Sequence, residues 1–88
     1  MLTPSFTTRF LKDLKRCEKR GKDLTKLKAI QVLLVNEVPL QLKHKDHPLT
    51  GNWSGHRDCH IEPDWVLIYR IERPFIYFER TGSHADLF

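Results

Sequence analysis

An 88-residue chain has room for one domain with one modest core, since folding at this size buries somewhat over ~60% of the surface the unfolded chain exposes. Apolar residues make up 40%, which excludes a disordered tail, and no apolar run approaches the ~20 residues of a membrane helix. Fifteen Lys and Arg stand against eleven Asp and Glu, a basic balance that points to an anionic partner: nucleic acid, an acidic protein or a membrane surface.

Residues 2–6, "LTPSF", read as a short strand. Pro4 cannot donate to a ladder, so this strand belongs at a sheet edge. From Thr7 the pattern turns helical: Phe6, Phe10, Leu14 and Cys17 recur every three to four residues and line one face. Gly21 is a natural stop after the last turn. Asp23 caps a second helix, along which Leu24, Leu27, Ile30, Leu34 and Val38 share a face. Its end falls at Asn36 or Glu37, because Pro39 disfavours helix in the residue before it. The short link predicts an antiparallel helix pair.

Residues 39–52 read as a loop punctuated by Pro39, Pro48 and Gly51. Strands follow at 53–61, 65–72 and 75–81, with Glu62, Pro63 and Asp64 turning the first into the second. "WVLIYRIE" is apolar at both parities, so it is a central strand covered on both faces at one end. The order predicts an α+β domain, two helices packed on one face of a small antiparallel sheet, with the other face left for something else.

All five histidines, His44, His47, His56, His60 and His84, lie after the helices. Histidine is the side chain that gives or takes a proton near neutrality, although a lone loop histidine is usually only solvated. One reading is a metal site, with His44 and His47 three apart and His56 and His60 four apart. These segments do not read as helix, and residues four apart on a strand lie ~13 Å apart, too far for one zinc. The other reading is metal-free acid–base cleavage of RNA. It needs a base for the ribose 2′-OH, an acid for the departing 5′ oxygen, and cations for the phosphoryl oxygens. Histidine and aspartate serve the first two. Lys45, Arg57 and Arg80 could supply the charge, and Trp65 or Phe88 a stacking surface, although a tryptophan at a strand start is more often core. Lys12, Lys15, Arg16, Lys19, Arg20, Lys22, Lys26 and Lys28 form a basic surface on the helical hairpin, suited to phosphate-backbone contact. Cys17 and Cys59 have no CxxC spacing and offer no disulfide framework. The opening "MLTPSFTTRF" lacks a signal-peptide core, so the expectation is a soluble cytoplasmic protein with no membrane partner.

Four blocks together carry a resemblance: "FLKDLKRCEKRGKDLTKLK" (10–28), "KHKDHPLTGNW" (43–53), "HRDCHIEPDWVLIYRI" (56–71) and "FERTGSHADLF" (78–88). In order and spacing, over nearly the whole chain, they resemble the YafQ branch of the RelE-type toxins of bacterial type II toxin–antitoxin pairs. The resemblance implies a ribosome-dependent endoribonuclease that cuts mRNA in the A site of the 70S ribosome without a metal or other cofactor. It implies His47, His60, Asp64 and His84 as catalytic residues. Phe88 falls in the matching C-terminal block, and Arg80 stands where the family carries a phosphate-binding arginine. Implied partners are an antitoxin of the RelB or DinJ kind, mRNA and rRNA, with DNA reached only through the antitoxin. Two positions depart from the pattern: Pro4 shortens the first strand, and His56 replaces an aromatic. The competing reading is a non-catalytic basic module of the same fold, which would bind RNA or DNA, or a protein, without cutting.

Overall fold

A computed structural model describes residues 1–88. In chain order it contains β1 (Thr3–Phe6), α1 (Thr8–Lys19), α2 (Leu24–Val35), a 3₁₀ turn (Leu42–His44), β2 (His47–Pro48), a second 3₁₀ turn (Gly51–Trp53), β3 (Arg57–Glu62), β4 (Trp65–Glu72), β5 (Phe75–Gly82) and α3 (His84–Leu87). The five strands form one sheet in the order β1-β5-β4-β3-β2. No helix is long and apolar enough to cross a membrane.

The helix ends follow their capping chemistry. The Thr7 hydroxyl accepts the Phe10 N–H at 3.0 Å, and Asp23 accepts the Thr25 N–H at 3.0 Å, each satisfying an otherwise orphan donor. Gly21 takes a φ of +79°, the left-handed stop expected of it. The second helix stops at Val35, so Val38 falls beyond it and is exposed instead of extending the apolar stripe.

The sheet is mixed, which refines the antiparallel expectation. β3, β4 and β5 run antiparallel, but β1 pairs with β5 in parallel, Thr3 opposite Phe75 through Phe6 opposite Phe78. β1 is an edge strand, the place a strand containing Pro4 can occupy. The strand expected from residue 53 begins only at Arg57; Trp53 lies in a 3₁₀ turn, and the loop before it contributes β2 to the far edge.

β4 alternates between two packed faces. Trp65, Leu67 and Tyr69 join Phe10, Leu27, Ile30, Cys59, Ile76 and Phe78 in the main core beneath the helices. Val66 and Ile68 point the other way and are covered by Leu87, Leu49 and Trp53. Full burial of one such apolar side chain contributes ~1.5–3 kcal/mol. The parity assigns β3 as well: Cys59 and Ile61 face the helices, which leaves Asp58 and His60, opposite Ile68 and Val66, on the open face.

Candidate active site on the open face

Four segments bring the site together: β2, β3, the turn between β3 and β4, and the C-terminal α3. His47 on β2 lies directly opposite Asp58 on β3, and cross-strand partners share a face. Its Nδ1 is 3.2 Å from Asp58 Oδ1 and 2.5 Å from the Lys45 carbonyl oxygen. A carbonyl can only accept, so Nδ1 carries the hydrogen and Nε2 is left as the available nitrogen. Lys45 has a φ of +48°, a left-handed turn that folds its carbonyl back toward the His47 ring.

His84 opens α3. Its backbone N–H donates to Asp64 Oδ1 at 2.9 Å, and its Nδ1 lies 2.6 Å from the same oxygen. The carboxylate fixes the ring in the tautomer with Nδ1–H, so here too Nε2 is the available nitrogen. These two bonds hold the Asp64 carboxyl below the usual carboxylate range. The His60 ring packs edge-on to the His84 ring at 5.2 Å. Burial pushes the His60 imidazole below its ordinary value, favouring the neutral form. Phe88 stands 6.2 Å from the His84 ring and is 59% exposed. The structure therefore brings His60, Asp64, His84 and Phe88 together and sets His47 on the same face beside Asp58.

Asp58, on β3, belongs to the same face. It is 4% exposed, and its Oδ1 has no hydrogen bond that would satisfy it beyond the approach of His47. Burial raises its pKa, and the nearby His47, His60 and His84 oppose that rise. One buried carboxylate thus lies beside His47 and on the strand face it shares with His60. The signal in the sequence was parity: Asp58 and His60 are two apart and share a strand face.

A β-bulge explains the density of charge around Asp64. The β3–β4 register shifts between His60 and Glu62, so Glu62 pairs with Trp65 and turns to the helix side. There it meets Lys22 at 3.3 Å and Lys26 at 2.9 Å. His60 stays on the open face, and Asp64, in the turn, reaches His84.

Several expected binding residues have other partners. Trp65 is 1% exposed, and its Nε1–H donates to the Thr81 hydroxyl at 2.9 Å. It is a core residue and cannot stack on a base, which corrects the expectation. Arg80 sits opposite Ile68, yet its guanidinium reaches around the sheet edge to Asp13, with Nε at 2.7 Å and Nη2 at 3.1 Å. Only 11% of its side chain is exposed, so it is not a free phosphate-binding cation. Arg57 pairs with Asp46 at 3.3 Å. On the helices, Arg16 binds Asp13, Arg20 binds Asp86, and Lys22 and Lys26 bind Glu62, whereas Lys12, Lys15 and Lys19 make no ion pair. His44 contacts the His60 carbonyl through Nδ1 at 2.7 Å, and His56 lies 3.8 Å from Glu79. No group of three His, Cys, Asp or Glu side chains is arranged to hold a metal ion.

Comparison with known proteins gives a consistent picture. The chain is 50% identical over 84 residues to the mRNA interferase toxin YafQ of Escherichia coli strain K12, covering 94% of this chain and 91% of that protein. It superposes on the toxin in the crystal structure of the E. coli DinJ–YafQ toxin–antitoxin complex with a TM-score of 0.92 and 48% identity, over 99% of this chain and 97% of that one. It also matches a metal-bound toxin from Helicobacter pylori, with a TM-score of 0.94 and 42% identity over the whole of both chains. Residues 2–88 match the sequence profile of the family described as bacterial toxin of type II toxin–antitoxin system, YafQ. With the profile spanning nearly the whole sequence and the fold shared along its full length, this chain belongs to the YafQ family of bacterial type II toxins.

Proposed function

We propose that this protein is an endoribonuclease that cleaves mRNA in the ribosomal A site by general acid–base chemistry. The observation that carries the reading is the pair of tautomer-locked histidines. His47 and His84 each have Nδ1–H committed to an acceptor, which leaves two Nε2 atoms to accept and deliver protons. One histidine takes the proton from the ribose 2′-OH. The 2′ oxygen attacks the adjacent phosphorus, forming the P–O2′ bond as the P–O5′ bond breaks. The other histidine protonates the departing 5′ oxygen, leaving a cyclic phosphate and a 5′-OH end. General acid–base groups of this kind are worth ~10²–10⁴-fold each. Asp64 orients His84, Asp58 lies beside His47, and Lys45 supplies positive charge near the phosphate, whereas Arg57, opposite Tyr69 and paired with Asp46, faces the helix side. Phe88 offers the exposed aromatic face that Trp65 cannot. Lys12, Lys15 and Lys19, free of ion pairs, contact rRNA phosphates. The E. coli relative is an mRNA interferase toxin, which supports mRNA as the substrate.

The partner that restrains the toxin is a cognate antitoxin, as DinJ is for the E. coli protein. A net charge of +4 favours an acidic covering segment, and any contact with DNA runs through that antitoxin.

The test is cleavage of mRNA on programmed 70S ribosomes in excess chelator. The expected result is cutting with 5′-OH ends, lowered at least ~10²-fold by His84→Ala or His47→Ala. The chelation arm matters because the H. pylori relative is known in a metal-bound form: complete loss of cutting on chelation would overturn the metal-free chemistry. Steep salt-dependent ribosome binding by a wild-type protein that never cuts would instead identify a non-catalytic binding module.

A further inference from the structure

His84 is carried by a single helical turn of four residues. A turn that short cannot hold itself in place, because helix nucleation is unfavourable on its own. Its position must come from outside contacts, beyond the edge-on packing of the His84 ring against His60, and three anchor it. Leu87 is buried against Val66 and Ile68. Asp64 accepts from the His84 backbone N–H and Nδ1. The third contact comes from α1 and lies 66 residues away in sequence: Arg20 Nη1 and Nη2 meet the two carboxylate oxygens of Asp86 at 2.6 and 3.2 Å.

This contact differs from an ordinary surface ion pair. It is bidentate, the geometry in which arginine fixes direction as well as charge. Asp86 is the more enclosed partner, with 13% of its side chain exposed. Asp86 also closes a capping box, accepting the Ser83 N–H at 2.9 Å while the Ser83 hydroxyl accepts the Asp86 N–H at 3.1 Å. Arg16 Nη2 approaches the same carboxylate at 3.9 Å. Gly82 provides the space. A Cβ built there would lie 2.8 Å from Asp86 Oδ2, 3.0 Å from Asp86 Cβ and 3.3 Å from Arg16 Nη2. Its φ is not positive, so glycine is required for this close approach and not for its backbone freedom.

We propose that Arg20 and Asp86 are positioning residues, whose ion pair, with Asp86 seated against Gly82, sets the C-terminal turn and so aims His84 at the reaction. Arg20, expected from the sequence to contact rRNA, is committed to this internal contact. Leu87 and Asp64 hold the turn to the sheet and to the β3–β4 turn; the Arg20–Asp86 pair ties it to α1 as well. The inference rests on the reading of His84 as a proton-transfer residue.

The test uses the full-length protein with Arg20→Gln, Asp86→Asn, the double variant and Gly82→Ala. Two quantities are read. One is the set of His84 imidazole ¹H–¹³C resonances in the free protein, which report its contact with Asp64 and the ring current of His60. The other is the single-turnover cleavage rate on saturating programmed ribosomes, with ribosome affinity measured separately. Asp86→Asn and Gly82→Ala are expected to displace the His84 resonances and slow cleavage between about tenfold and 10²-fold, the scale of a small misplacement of a reacting group, at unchanged ribosome affinity. The double variant should be no worse than Asp86→Asn, because the two residues act as one unit. His84 resonances that stay put in all four variants overturn the proposal. So does an Arg20→Gln effect confined to ribosome affinity. If the wild-type protein does not cut ribosomal mRNA, the functional reading fails and the resonances alone decide the positioning claim.

Discussion

Asp13→Ala is expected to be strongly destabilising although Asp13 lies outside the histidine cluster. Asp13 is buried and accepts from Arg16 at 2.8 Å, from Arg80 at 2.7 and 3.1 Å, and from the Thr81 N–H at 3.1 Å. Its position matters because β1 ends at Phe6, opposite Phe78. Beyond that point the outer edge of β5 has no strand partner, and α1 closes it: the Thr7 hydroxyl donates to the Glu79 carbonyl at 2.8 Å, and Asp13 takes the Thr81 N–H. Removing the carboxylate strands a guanidinium that is 11% exposed and a buried backbone donor. Breaking one side of a buried pair costs ~3–5 kcal/mol, and an unsatisfied buried N–H costs ~1–3 kcal/mol. The two losses overlap, so a total of about 4 kcal/mol is expected. At ~4–8 °C per kcal/mol for a domain of this size, the Tm should fall by about 15–30 °C, a large share of a typical ~5–15 kcal/mol stability. Thermal and urea melts followed by circular dichroism measure this directly. Asp13→Leu with Arg80→Met should recover the part of the loss that comes from the stranded charge, since both partners become apolar, while the unpaired Thr81 N–H keeps the double variant below wild type. A Tm drop below ~5 °C for Asp13→Ala would refute the reasoning.

Thr81→Val tests the burial of Trp65. The Thr81 hydroxyl accepts from Trp65 Nε1 and donates to the Val66 carbonyl, both at 2.9 Å; losing it should cost ~2 kcal/mol and lower the Tm by about 8–16 °C, with Trp65→Phe/Thr81→Val less destabilised than the sum of the two singles. A melt within ~3 °C of wild type for Thr81→Val would show that the pair carries no weight. Asp58→Asn separates stability from activity. Burial raises the folded-state pKa of Asp58, so between its ordinary unfolded value and the raised one the folded state holds more protons. Its contribution to stability therefore declines as pH rises through that window and stays diminished above it. The asparagine variant should melt at or above wild type at pH 7 and lose that part of the pH dependence, while cleavage falls because His47 loses its acidic neighbour; a neutral-pH Tm well below wild type would contradict this.

Local chemistry determined much of the protein in advance. Thr7, Asp23 and Gly21 mark the helix ends because caps and stops act within a turn. Pro4 confines β1 to an edge, and "WVLIY" at both parities requires cover on both faces. The resemblance to the YafQ family implied His47, His60, Asp64 and His84 as one set; in the fold Asp64 binds His84, the His60 ring packs against His84, and His47 lies opposite Asp58. What remained undecided depends on which surfaces meet across long stretches of chain. The parallel pairing of β1 with β5 follows from how the helices return the chain, not from "LTPSF" itself. Trp65 is core and not a stacking platform because Thr81, sixteen residues on, meets its indole N–H. The bulge after His60 turns Glu62 toward Lys22 and Lys26, whereas Asp58, two residues before His60, stays on the open face opposite His47. Arg80 and Arg20 both read as free cations, yet their acceptors, Asp13 and Asp86, come from the opposite end of the chain. Helix caps and strand parity are written in neighbouring residues; a charge becomes binding, catalytic or structural only when the fold chooses its partner.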